Sequence, residues 1–132
     1  MKNYLAVFVI ITLCCMCCKK SKDPGCGCNG KIVFTIKDSD EQVGYLYKNT
    51  SDANPNMPYY NYVISYTEAG CTNCEHHFFI CNDIFLNDFG GIPEFPGIKV
   101  KFSGMVKNLC NPPFRPADIT YNHIFLNKIE KQ

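Results

Sequence analysis

The amino-acid sequence predicts a mainly β domain: a small antiparallel barrel of five to six strands with one short helix, behind an N-terminal export signal. Three observations predict it. Apolar and polar residues alternate at period two in segment after segment of the body, the pattern of half-buried strands. Only one stretch carries helix punctuation, so the helical crossovers that a parallel sheet requires are missing. The length, 132 residues, suits one domain, and its 10 Phe and 8 Tyr without any Trp favour β structure.

The chain opens with "MKNYLAVFVIITLCCMCCKK". Lys2 is followed by an apolar run from Tyr4 to Cys18, shorter than the roughly 20 residues of a membrane-spanning helix. Length and flanks fit a secretory signal. Its end holds four cysteines, Cys14, Cys15, Cys17 and Cys18. A bacterial lipoprotein signal ends before a cysteine whose sulfur is acylated, and a small residue precedes the cut. Leu13 and Met16 are too bulky to precede it, which leaves Cys15 and Cys18. Cys18 is the predicted lipid attachment site, because the polar tether "KKSKDPG" begins immediately after it. Residues 1–17 are then signal peptide, 18–29 tether and 30–132 the barrel domain. Acyl chains on Cys18 hold the protein on a membrane through about 0.8 kcal/mol per buried methylene.

The body is read strand by strand. "KIVFTIK" places Ile32, Phe34 and Ile36 on one face, with Val33 and Thr35 on the other. "DSDE" is a turn, and "QVGYLYK" follows with Val43, Tyr45 and Tyr47 at period two. The polar loop "NTSDANPNMP" includes Asn49-Thr50-Ser51, a glycosylation acceptor only on a eukaryotic secretory route. In "YYNYVISYTE", Tyr60, Tyr62, Ile64 and Tyr66 share a face. "GCTNCE" is a turn and "HHFFI" a returning strand. "CNDIFLNDFGG" is the single helical stretch, capped by Asn82 or Asp83 and ended by Gly90-Gly91. "GIKVKFSGMV" points Ile98, Val100 and Phe102 one way and Lys99, Lys101 and Ser103 the other. After the proline-rich "NLCNPPFRP", "ITYNHIFLNKIEK" closes the domain. Closure into an OB-like barrel hides the sheet edges; a sandwich is the alternative.

"GIKVKFSGMV" followed by "ITYNHIFLNKIEK" resembles the C-terminal half of a group of small Bacteroidota lipoproteins with an OB-like β-barrel domain, in which G-(I/L)-K-V-K-F-S-G precedes a last strand ending in IEK. "FICNDIFL" is similar to that group's strand running into an Asn-headed helix, and "CCKKSKD" to its lipoprotein signals. The resemblance implies a fold and a place in the bacterial cell envelope, not an activity.

Six cysteines lie beyond Cys18: Cys26, Cys28, Cys71, Cys74, Cys81 and Cys110. In an exported chain this even set reads first as a disulfide framework of open connectivity. Cys26 and Cys28 are placed to pin the tether, and Cys110 the proline-rich crossing. The sharper alternative is a metal-binding or thiol-active protein using Cys71, Cys74, His76 and His77 in "CTNCEHH". Zinc takes such ligands, but adjacent histidines in a strand point to opposite faces. A thioredoxin-like role lacks its βαβ context, "DSDEQVG" only grazes a calcium loop, and His123 reads as a surface or satisfied histidine.

The net charge is +1, and removing Lys2 with the signal leaves 12 basic against 12 acidic side chains. A neutral surface without a basic stripe argues against nucleic acid. No hydrolase, phosphate-loop or zinc-protease motif is present. The expectation is a non-enzymatic binding or envelope-structural module without cofactor, anchored at the outer membrane with its periplasmic face preferred, whose partner is an envelope protein, peptide or glycan. The tyrosines of "YYNYVISY" offer aromatic contacts for such a ligand.

Overall fold

The computed structural model describes residues 25–50, 61–114 and 116–132. The signal, Cys18 and Cys15 lie outside the described residues. Within them the chain forms β1 (Ile32–Ile36), β2 (Gln42–Lys48), β3 (Tyr62–Thr67), β4 (Glu75–Ile80), β5 (Ile98–Asn108) and β6 (Ile119–Lys131). A 3₁₀ turn, Asp38–Asp40, separates β1 from β2, and a 3₁₀ helix, Asp83–Phe89, separates β4 from β5.

The five strands β2, β3, β4, β6 and β5 form a closed ring, with β1 added to β5. All pairings are antiparallel except β4 with β6. A ring of five cannot alternate direction all the way round, so one parallel pair is the consequence of an odd strand number. The parallel pair joins the third and fifth ring strands, and the short helix links the third to the fourth. This is a small OB-like barrel, as the alternating pattern predicts.

β1 and β2 run along the same edge of β5, opposite the edge that β6 occupies. Ile36 faces Gly104 and Gln42 faces Phe102, so residues 37–41 stand opposite Ser103 alone. One long strand is thus interrupted by a five-residue excursion. The Ser103 hydroxyl donates to Asp38 Oδ1, which fastens the excursion to β5 where β5 and β6 shift register, between Ser103 and Gly104.

The barrel interior holds Leu46, Ile64, Phe78, Ile80, Val100, Phe102, Val106, Ile124 and Leu126, with Leu86 and Phe89 of the helix closing one end. Each neighbour in the pairs Val63/Ile64 and Phe78/Phe79 belongs to a different cluster, as strand alternation demands. Val63 and Phe79 therefore face outward, where Leu109, Tyr47 and Tyr121 cover them. The tether also packs here: Gly27 N–H donates to the Asn108 carbonyl, and Lys107 Nζ to the Cys28 carbonyl.

Several expected faces are corrected. In β1 only Ile36 is buried, while Ile32 and Phe34 are exposed: β1 pairs on one side only, and its register slips between Ile32 and Phe34. In β2 the period-two set Val43, Tyr45 and Tyr47 is the outward face, with Val43 and Tyr45 42% and 48% exposed, and the inward residues are Gly44 and Leu46. The aromatic count of that strand misleads because Gly44 has no side chain to bury. Ser103, expected on the face of Lys99 and Lys101, is fully buried, and Asp38 accepts the hydrogen bond from its hydroxyl. Asn82 occupies the helix N-cap without a side-chain cap bond. Its amide bonds the Leu126 carbonyl and N–H instead, tying the helix entry to β6. Gly90 ends the helix at φ 65°, a conformation that suits glycine.

Candidate ligand site at the barrel mouth

Beside the excursion, the ends of β1, β3 and β4 frame a cavity of 350 Å³. Its apolar wall is built by alternation along β3 and β4. Tyr66 and His76 are directly paired across those strands, and their rings stack with centroids 5.6 Å apart. The His76 ring continues the stack onto Phe78 at 6.1 Å, and Tyr66 meets Phe102 edge-on at 6.4 Å. The result is a ladder of rings descending from the mouth into the core. Phe34 and Ile36 face it from β1.

Polar groups crowd the rim: Lys37, Asp40, Gln42 and Glu68. His76 is held from both sides, its Nδ1 2.6 Å from Thr120 Oγ1 and its Nε2 3.6 Å from Glu68 Oε2. Thr120 is its parallel-sheet partner on β6. The ring presented to the cavity is therefore fixed in orientation. Gln42 Nε2 donates to the Asp40 carbonyl, which sets the opposite rim. An apolar wall with a few convergent donors and acceptors is the usual form of a small-molecule site.

The outer side of β4 carries a second aromatic set. His77 stacks on Tyr121 at 5.2 Å, meets Tyr47 Oη at 3.3 Å through Nδ1 and lies 3.2 Å from Glu75 through Nε2. Burial lowers the His77 pKa, outweighing the pull of Glu75 in the other direction. Burial likewise pushes the Tyr47 hydroxyl up to about 12. These groups are neutral at pH 7 and act as packing with satisfied polar tips.

The body cysteines pair as Cys26–Cys110, Cys28–Cys81 and Cys71–Cys74. The first joins the tether to the proline-rich crossing. The second ties the tether to the start of the short helix. The third closes the turn between β3 and β4. In "CTNCEHH" both thiols are bonded to each other, and His76 and His77 occupy opposite faces of β4, so these four residues are not brought together as one ligand set.

What sequence reading missed is the placement of His123 beside Cys28. The histidine is 1% exposed on the outward face of β6, edge-on to Phe79 and hydrogen-bonded to the Phe79 backbone. Its Nδ1 lies 3.7 Å from Cys28 Sγ. Nothing local in "TYNHIFL" signals this, because Cys28 is 95 residues away in the chain.

No known protein family matches this chain, and no curated protein resembles it closely enough to be matched.

Proposed function

We propose that this chain is an exported, lipid-anchored and non-enzymatic binding module whose barrel mouth takes one ring of a glycan. The observation that carries the reading is the 350 Å³ mouth cavity with the Tyr66–His76–Phe78 ladder on one wall and Lys37, Asp40, Gln42 and Glu68 at its rim. A sugar ring has an apolar C–H face that stacks on an aromatic ring, and hydroxyls that need both donors and acceptors. The mouth offers that combination, with no net excess of positive charge to attract a phosphate backbone. Export is supported by the signal-like N-terminus and by a body whose six cysteines are all in disulfides, which persist in oxidising compartments. Anchoring at Cys18 and a cell-envelope location extend the same reading, in keeping with the resemblance to small Bacteroidota lipoproteins.

The test is NMR titration of the isotope-labelled full chain in detergent with soluble fragments of envelope glycans. Expected are saturable shifts of His76, Glu68 and Lys37 resonances. Tyr66→Ala weakens binding by at least tenfold, and Glu68→Gln, at a side chain 58% exposed, weakens it without disturbing the fold. Shifts confined to other faces, or none at millimolar glycan, overturn the reading. Mass spectrometry of the mature N-terminus tests the anchor separately: it should begin at acylated Cys18, and a chain retaining Met1 refutes export.

A further inference from the structure

We propose that Cys28, Cys81 and His123 form a binding site for a thiophilic cation, Zn²⁺ or Cu⁺, which the Cys28–Cys81 disulfide masks and reduction opens. Among the described residues, this is the one group of three His, Cys, Asp or Glu residues whose ligand atoms converge, all within 4.8 Å of one another. Neither Cys26–Cys110 nor Cys71–Cys74 has such a third ligand among the described residues.

The geometry is close to what a tetrahedral ion needs. Zinc–sulfur bonds of about 2.3 Å and zinc–nitrogen bonds of about 2.0 Å put neighbouring ligand atoms roughly 3.5–3.8 Å apart. The distance of 3.7 Å between Cys28 Sγ and His123 Nδ1 already has that value. What remains is for the two sulfurs to part, which breaking their bond permits.

The imidazole is prepared for the role. His123 is clamped in β6 opposite Phe79, and its ring bonds the Phe79 backbone while Nδ1 faces the sulfur. A metal-binding histidine is ordinarily oriented in this way, with a backbone carbonyl or carboxylate holding the ring position that does not touch the metal. Cys28 stays in place without its own bridge, because Gly27 is bonded to Asn108 and Lys107 to the Cys28 carbonyl. Both cysteines are partly exposed, which leaves an approach for the ion and a fourth position for water or an incoming ligand. Two thiolates beside the Lys107 ammonium carry a net single negative charge. Soft sulfur with imidazole selects Zn²⁺ or Cu⁺ over Mg²⁺ or Ca²⁺.

A dithiol reductant supplies two electrons and two protons and becomes a disulfide itself, the Cys28–Cys81 bond breaks, and two thiols form. Cation binding then releases those two protons, as thiolate ligation requires.

The experiment uses the full chain treated with a phosphine reductant, with Co²⁺ as optical probe and Zn²⁺ as competitor. The reduced parent should take up one equivalent of Co²⁺ more than C28S/C81S, with a thiolate charge-transfer band that Zn²⁺ abolishes. C71S/C74S should keep that equivalent, and His123→Gln should weaken it at least tenfold. Equal uptake by parent and C28S/C81S overturns the proposal, as does loss of the extra equivalent in C71S/C74S. A readout without variants is differential alkylation of the reduced parent. Zn²⁺ should shield Cys28 and Cys81; shielding of other cysteines alone, or of none, overturns the proposal.

Discussion

The Glu41 carboxylate lies 2.8 Å from the Lys128 ammonium and 2.6 Å from that of Lys101, so a residue at the end of the five-residue excursion reaches across β5 to β6. Its side chain is only 6% exposed. The two ammonium groups, Lys101 first, hold its pKa below the usual carboxylate range. A carboxyl depressed in the fold stabilises it above its unfolded pKa of about 4.3 and ceases to do so as pH falls through the folded value. Glu41→Gln should lower the urea midpoint at pH 7, and parent and variant should converge as the solution is acidified below pH ~4. A constant gap from neutral to acid pH refutes the assignment.

His77 predicts an earlier acid-sensitive step. Its pKa is lowered chiefly by burial, so the unfolded chain takes up a proton near pH 6.5 while the folded one does not. Stability from this residue is present above pH ~6.5 and declines as pH falls towards the folded value. Titration of the His77 ring by NMR should give a midpoint below that of an exposed histidine, and urea midpoints should start to fall between pH 7 and 5.

Gly44 predicts a packing cost. A Cβ at this position would sit 2.5 Å from the Ser65 carbonyl oxygen and 3.2 Å from the Phe102 ring. The backbone of β3 cannot yield without breaking its ladder. Gly44→Ala should therefore destabilise the barrel by about 1–3 kcal/mol, the range for overpacked cores. A neutral result by urea unfolding would show that β2 can move away from β3.

The three disulfides should differ in value. Cys26–Cys110 spans 84 residues, Cys28–Cys81 spans 53 and Cys71–Cys74 spans 3. In the chain-entropy model these separations correspond to about 4.5, 4 and 2 kcal/mol. Paired serine variants should follow that order in urea midpoint. A C71S/C74S variant as weak as C26S/C110S would show that the short bridge acts through the native turn instead.

Strand content and barrel class are legible in the sequence: β3, β4, β5 and β6 carry clear alternation or a β-rich run, and the absence of crossover helices argues against an all-parallel sheet. The ring order and the parallel β4–β6 seam are not legible, because alternation does not say which strands pair. Inward faces were legible where both neighbours of a strand are present, as for Ile98, Val100 and Phe102. They were not legible in β1, whose exposed edge leaves Ile32 and Phe34 uncovered, or in β2, where a glycine takes an inward place. Tyr66 was recognisable as an aromatic contact. Its cavity was not, because the opposite wall comes from β1 and the excursion, 30 residues earlier. Cys28, Cys81 and His123 illustrate the same limit. Their proximity is created entirely by tertiary packing, and period-two patterns contain no information about which outward residue a distant tether will cover.

The thirteen residues of β6 supply both remaining seams of the barrel, to β4 and to β5. The ring cannot shut until β6 is in place. A chain without β6 presents two unpaired strand edges, those of β4 and β5, an open template for proteases and for self-association. Barrel closure and protection of the edges thus arrive together with this one strand, and a chain stopped before Ile119 stays open at both seams.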